Sequence, residues 1–152
     1  MSCHPLRRGR HSLAGACYAV TIVVRHRQPL LRATPVASAV MAQFHAAPVR
    51  NLAWVVMPDH VHWLFELGGT GLSRCVQAFK SRSARAINAL CGRKGALWQS
   101  EFYDHRVRAH EDLVRQARYI VANPVRKGLV ERIEDYRYWW CPWVTCTADL
   151  YL

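Results

Sequence analysis

The chain has 152 residues, 51% of them hydrophobic and 20% charged, which suits one domain with its own core and is too apolar for a disordered segment. Twenty-one Lys and Arg against ten Asp and Glu give a net charge of +11 and a sequence pI near 10.0, and nucleic acid is the partner class that most rewards such an excess, through counterion release. No stretch reaches the roughly 20 apolar residues of a membrane span, and no strongly basic amphipathic anchor favours a membrane surface, so a cytoplasmic protein is expected.

Arg7, Arg8 and Arg10 precede an apolar run from Leu13 to Val24 that Gly15 and Thr21 interrupt and Arg25 ends. The run reads as a strand over 17–25, rich in β-branched residues, and not as a signal peptide. Val36, Val40 and Phe44 at helical spacing predict a short helix over 35–46. Residues 52–57 predict a second strand, broken by Pro58 and Asp59. Residues 60–67 predict a third, closed by the Gly68-Gly69-Thr70-Gly71 turn. A long helix is predicted over 72–90. Its stripe of Leu72, Val76, Phe79, Ile87 and Leu90 faces the core, while Lys80, Arg82 and Arg85 lie largely off it. A basic loop at 92–95, a short strand over 105–108 and a helix from about Glu111 that stops at Pro124 follow. The tail, 136–152, is dense in aromatic residues. Tyr136, Tyr138, Trp139, Trp140 and Trp143 are able to stack on bases, but core packing is the expected role. The order β-α-β-β-α-β-α is that of an α+β, ferredoxin-like (split βαβ) antiparallel sheet with helices on one face. With no repeat or linker, residues 1–152 are expected to form one domain. The cysteines at 3, 17, 75, 91, 141 and 146 form no CxxC pair and read as reduced, structural thiols.

The segment VVMPDHVHWLFEL, residues 55–67, is the most informative. Side chains alternate faces along a strand, so Val61, Trp63, Phe65 and Leu67 should meet the core while His60, His62 and Glu66 share the other face with Leu64. Two imidazoles one strand step apart can chelate one divalent ion as neutral ligands. Two surface histidines also produce this pattern by chance, and a closed site needs a third ligand from elsewhere.

The segment EDLVRQARYIVANP, residues 111–124, supplies a candidate. Leu113, Ala117, Ile120 and Val121 make its buried stripe. Tyr119 and Asn123, four residues apart, should lie one above the other on the opposite side, with Arg115 and Gln116 nearby. A core tyrosine and a helix-ending asparagine are the ordinary readings of the same two residues. A phenol is a weak nucleophile at neutral pH, and a metal that polarises a phosphoryl oxygen offsets this. Two histidines and the Asn123 carbonyl oxygen would leave positions on the ion for DNA oxygens. Attack by Tyr119 would give a phosphotyrosine and a free hydroxyl, and rejoining would need no ATP.

With these residues in view, the chain resembles the REP-associated tyrosine transposases, a group of the single-tyrosine HUH endonucleases. The likeness spans nearly the whole chain, through GRHSLAGACYAVT (9–21), MPDHVHWLFEL (57–67), FKSRSARAIN (79–88), LWQSEFYDHRVR (97–108) and ARYIVANPVRKGLV (117–130). The resemblance implies His60 and His62 as metal ligands, Tyr119 as nucleophile and Asn123 as third ligand. It implies Mg²⁺ or Mn²⁺, although two imidazoles alone would also suit Zn²⁺. The substrate implied is single-stranded DNA folded as REP hairpins, cut and joined by a monomer or homodimer. Lys127 stands where an alanine is common, and the four site positions do not depart from the pattern. Lys80, Arg82, Arg85, Arg93 and Lys94 are candidates for the DNA path, with Arg106, Arg108, Arg115 and Arg118 nearer the nucleophile. His105 contacts DNA or fills the site wall. Tyr103 is a rival nucleophile in a predicted loop, and Asp59 and Glu66 are candidate partners for the histidines. The competing reading is a hairpin DNA- or RNA-binding protein without cleavage. A duplex-DNA transcription factor would need a helix-turn-helix signature that is missing.

Overall fold

Alternating burial along three apolar runs builds the centre of a sheet. In this computed structural model residues 4–5 and 12–152 are described; Cys3, Arg7, Arg8, Arg10 and the first residues of the 9–21 motif lie outside them. The elements are β1 (His4–Pro5), β2 (Cys17–Val23), α1 (Thr34–Ala46), β3 (Val49–Val56), β4 (His60–Leu67), α2 (Leu72–Cys91), β5 (Tyr103–Val107), α3 (His110–Val121), α4 (Asn123–Arg126) and β6 (Trp139–Trp140). The sheet order is β1-β5-β2-β4-β3-β6, and every neighbouring pair is antiparallel. β4 sits between β2 and β3, and β2 between β4 and β5. Two split βαβ units therefore interleave, which is the ferredoxin-like arrangement.

Each face of this sheet has its own core. On one, Tyr18, Val20, Ile22, Trp54, Val56, Val61, Trp63 and Phe65 pack under α1 and α2 through Val40, Phe44, Val76, Phe79 and Ile87. Phe44 is the centre, stacked on Trp54 and on Phe79 with ring centroids 5.0 Å apart in both pairs. On the other, Ala19, Ala53, Val55, Leu64 and Val107 pack under Ala117, Ile120 and Val121 of α3. So α1 and α2 share one face as expected, while α3 and the aromatic tail close the opposite one. The tail packs as expected too: β6 pairs with β3, and the Tyr136 hydroxyl donates to the Val56 carbonyl at 2.6 Å. Trp140 stays exposed. The described cysteines, at 17, 75, 91, 141 and 146, are free thiols.

Three expectations need correction. Leu90 is 57% exposed, because α2 outlasts the sheet and its last buried residue is Ile87. Lys80 does not line a DNA path. It is buried, with Nζ donating to the Gln99 carbonyl at 2.7 Å, and burial pushes its pKa down against the pull of Glu101. Arg82 is half-buried and bound to α1, with Nε donating to Gln43 Oε1 at 3.0 Å and Nη2 to the Gln43 carbonyl at 3.2 Å. Helical periodicity locates such residues around a helix axis but does not reveal that a neighbouring segment supplies acceptors. Lys80→Ala strips a charged donor from a part-buried carbonyl and removes a buried stem, so urea unfolding should show stability reduced by about 2 kcal/mol. Unchanged stability with weakened DNA binding would return Lys80 to the DNA path.

Candidate active site

The two-residue period of β4 turns His60 and His62 to the α3 side of the sheet, at the open end of the second core. Both are half-buried. Their ring centroids lie 4.8 Å apart with planes at 87°. Each Nδ1 has a partner. His60 Nδ1 donates to Asp59 Oδ1 at 2.6 Å, and His62 Nδ1 lies 2.9 Å from Thr21 Oγ1, its direct neighbour across β2. With Nδ1 as donor in both, each Nε2 keeps a lone pair. Burial pushes His62 down to about 3, helped by the charges of His60, Arg126 and Lys127. Burial also lowers His60, despite the Asp59 carboxylate that opposes it. Burial works against ionised Asp59, yet its bonds to His60 and Arg27 outweigh that and hold its pKa below the usual range. Glu66, the other suggested partner, instead binds Arg50 at 2.6 Å at the far end of β4.

Tyr119 and Asn123 do not share a face. Tyr119 is 52% exposed and Asn123 only 5%. The reason is Pro124, which cannot donate to the helix. α3 ends at Val121, and a separate turn, α4, begins at Asn123. Asn123 Nδ2 donates to the Ile120 carbonyl at 2.8 Å, which leaves Oδ1 as the side-chain atom available to a cation. Arg126 links the pieces. Its guanidinium carbon lies 3.9 Å from the Tyr119 ring centroid, its Nη1 donates to the Tyr119 carbonyl at 2.7 Å, and its charge acts on His62. Among the described residues no group of three His, Cys, Asp or Glu stands together, so a cation on the two imidazoles would take its third protein ligand from a neutral oxygen. Two neutral imidazoles with oriented rings and a buried amide fit a divalent ion that keeps open positions.

Tyr119 forms a wall common to two clefts. One, of about 680 Å³, includes Arg115, Arg118 and Arg126. The other, of about 440 Å³, includes His105, Arg106, Arg108 and Arg115. Arg106 and Arg108 are exposed, Arg115 pairs with Asp112 at 3.2 Å, and Arg118 Nη1 donates to the Leu152 carbonyl at 2.7 Å. His105 is half-buried and its Nδ1 has no hydrogen-bond partner among the described residues. Burial lowers its pKa against the pull of Gln116 and Asp104. Arg85 and Lys94 are exposed but belong to α2 and its following loop, in the layer across the sheet from the histidines. Arg93, from that loop, binds Asn88 Oδ1 at 2.7 Å. Tyr103 is not in a loop; it opens β5. Two residues escaped the sequence reading. Thr21 is the one β2 residue not fully buried. Arg126 lies past the break, in α4, where the helical period of α3 does not place it.

Fold and site together define a ferredoxin-like α+β protein with a histidine pair on its central strand and an exposed tyrosine on an arginine-rich helix. The family described as transposase IS200-like matches residues 14–123. The chain belongs to that family. It is 28% identical over 134 residues to the REP-associated tyrosine transposase of Escherichia coli K12, covering 85% of this chain and 78% of the relative. The fold resembles that of a REP-associated tyrosine transposase solved bound to a REP hairpin, with TM-score 0.67, 24% identity, and 88% and 81% of the two chains covered. It also resembles a candidate transposase from Deinococcus radiodurans R1, with TM-score 0.53, 21% identity, and 73% and 93% covered. No helix among the described residues is long and apolar enough to cross a membrane.

The histidine shifts have a signed consequence for stability. A His62 held down to about 3 when folded titrates near 6.5 when unfolded, so the unfolded chain binds the extra proton between those values. The contribution is complete above about pH 6.5 and is lost progressively as pH falls towards 3. Metal-free urea unfolding should therefore give a lower midpoint at pH 4.5 than at pH 7.5, and His62→Asn should flatten that dependence. An equal slope in the variant would remove His62 as its source.

Proposed function

We propose that the chain cleaves and rejoins single-stranded DNA of the REP-hairpin type through a covalent Tyr119 intermediate, with His60, His62 and Asn123 holding Mg²⁺ or Mn²⁺, as one domain in a monomer or homodimer. The observation that carries this reading is the pair of neutral, oriented imidazoles on the sheet face covered by the helix that exposes Tyr119. The REP hairpin in the structure of the solved relative supplies the substrate class.

When bound, the cation polarises a phosphoryl oxygen and stabilises the charge that develops on it. Asp59 and Thr21 hold each imidazole by Nδ1, which leaves Nε2 for the cation. Arg126, stacked on the phenol and bonded to its backbone, restricts the rotamers of an otherwise exposed side chain. Tyr119 Oη forms a bond to phosphorus as the bond from phosphorus to the leaving sugar oxygen breaks. The phenol gives up its proton and the leaving oxygen gains one, yielding a phosphotyrosine and a free hydroxyl. One phosphate ester replaces another, so attack by a second hydroxyl reverses the step without ATP. The exposed arginines of the two clefts supply phosphate contacts on either side.

A labelled single-stranded REP hairpin incubated with Mn²⁺ or Mg²⁺ should yield a protein–DNA adduct on a denaturing gel. Tyr119→Phe and EDTA should each abolish it. An undiminished adduct in Tyr119→Phe would remove the tyrosine from its role, and retarded DNA without any adduct would favour the silent binding protein. Salt titrations discriminate among the cations. Arg106→Ala and Arg108→Ala should each lower the slope of log affinity against log salt by about 0.7, whereas Arg82→Ala should leave it unchanged. A lowered slope for Arg82→Ala would place α2 on the DNA.

A further inference from the structure

Tyr103 opens β5 directly opposite Thr21, and Thr21 lies directly opposite His62. Opposed residues in antiparallel strands project to the same face. Tyr103, Thr21 and His62 therefore form one row on the α3 side of the sheet. Two strand spacings separate its ends, about 10 Å at ~4.8 Å each. Tyr103 is 37% exposed, and the reaction described above makes no use of it.

The ring borders a cleft of about 650 Å³ whose other walls include Arg25, His26, Trp98, Ser100 and Glu101. One wall is braced from beneath. Lys80 Nζ donates to the Gln99 carbonyl at 2.7 Å, and Gln99 N donates to the Val23 carbonyl at 2.8 Å. The segment bonded beside it runs into a strained turn: His26 and Arg27 both adopt left-handed backbone, with φ of +60° and +50°. Residues with a Cβ rarely do so, and such turns persist where their surroundings hold them. Here the turn leaves Arg25 and His26 exposed beside the cleft, and Arg27 Nη1 reaches Asp59 Oδ2 at 3.4 Å, the carboxylate that orients His60.

We propose that this cleft is a nucleotide subsite in which Tyr103 stacks on one unpaired base of the DNA strand, with Arg25 and His26 beside that nucleotide's phosphate. The inference rests on the reading that a DNA phosphate is held at His60 and His62. A cavity of this volume suits a ligand the size of a nucleotide. An exposed aromatic ring beside basic side chains is the usual platform for an unpaired base. Glu101, the acidic side chain on the rim, is able to accept from a base amino group, whereas it would repel a bare phosphate. A row of about 10 Å spans about three stacked nucleotides at ~3.4 Å each, which places the stacked base within about three nucleotides of the phosphate at the histidines.

The test is a thermodynamic cycle on DNA binding, using the full chain with Tyr119→Phe so that no DNA is consumed. Hairpin oligonucleotides carrying a single abasic site at each unpaired position are bound to the Tyr103 chain, to Tyr103→Phe and to Tyr103→Leu. Tyr103→Leu should weaken binding of the intact oligonucleotide about tenfold, and Tyr103→Phe, which keeps the ring, much less. One abasic position should cost about the same, and combining it with Tyr103→Leu should cost little more than either change alone. Full affinity in Tyr103→Leu, or losses that add at every position, overturns the subsite. Wild-type chain that forms no adduct while this coupling persists at one base removes the cleavage reading and leaves the subsite. Adduct formation without coupling removes the subsite alone.

Discussion

Strand β4 lies at the centre of the sheet and is buried on both faces, and its period of two decides what each face receives. Val61, Trp63, Phe65 and Leu67 enter the aromatic core, and Leu64 enters the core under α3. His60 and His62 are left at the end of the second face, where the packing opens. A slip of one residue would exchange the faces and drive Trp63 and Phe65 towards α3. Each large side chain in that set contributes about 1.5–3 kcal/mol through burial, so the register that holds the histidines is among the best-defended features of the fold. The site owes its precision to hydrophobic packing on the opposite side of the same strand.

That placement also dictates the chemistry of the imidazoles. Half-burial disfavours their protonated forms, and the positive charges of Arg126 and Lys127 add to this at His62. A polar ring in such a position needs hydrogen bonds, and each finds one at Nδ1. Asp59 is available because the chain breaks at Pro58 just before the strand, and Thr21 because β2 pairs with β4 in that register. With each Nδ1 engaged, Nε2 is the ring nitrogen left for a cation. The cations that reinforce the effect of burial on His62 are of the sign that attracts a phosphate, so one charge arrangement serves both requirements.

The sequence reveals β4 to the residue, because alternation over eight positions is unambiguous when one set is Val, Trp, Phe and Leu. The split βαβ order is equally legible from the succession of apolar runs. Less legible are features that depend on a second segment. Lys80 looks like a solvated lysine until the 99–101 segment passes beneath it. Arg82 looks free until Gln43 arrives from α1. Tyr119 and Asn123 look like neighbours on a continuous helix. Pro124 signals the end of that helix, but periodicity does not say that the next turn tucks Asn123 inward while Tyr119 stays out. Expecting helices on one face succeeded for α1 and α2, the helices of the βαβ units. α3 is an addition to that unit, and the exposed apolar face of the sheet was the vacancy it had to fill.

The net charge of +11 therefore describes several populations of cations. Lys80 and Arg82 serve the fold, bound to neutral carbonyl and amide oxygens inside the α2 layer. Arg106 and Arg108 are exposed beside the cleft that Tyr119 borders. Arg126 belongs to neither group. Its guanidinium binds a ring face and a carbonyl at once, a combination a lysine ammonium does not reproduce because it lacks the planar fork. It is also the point where the nucleophile candidate, the turn bearing the candidate third ligand and the field at His62 meet. A protein that only bound DNA would gain from a cation in that position, but it would have no evident need to hold an exposed tyrosine in place with it.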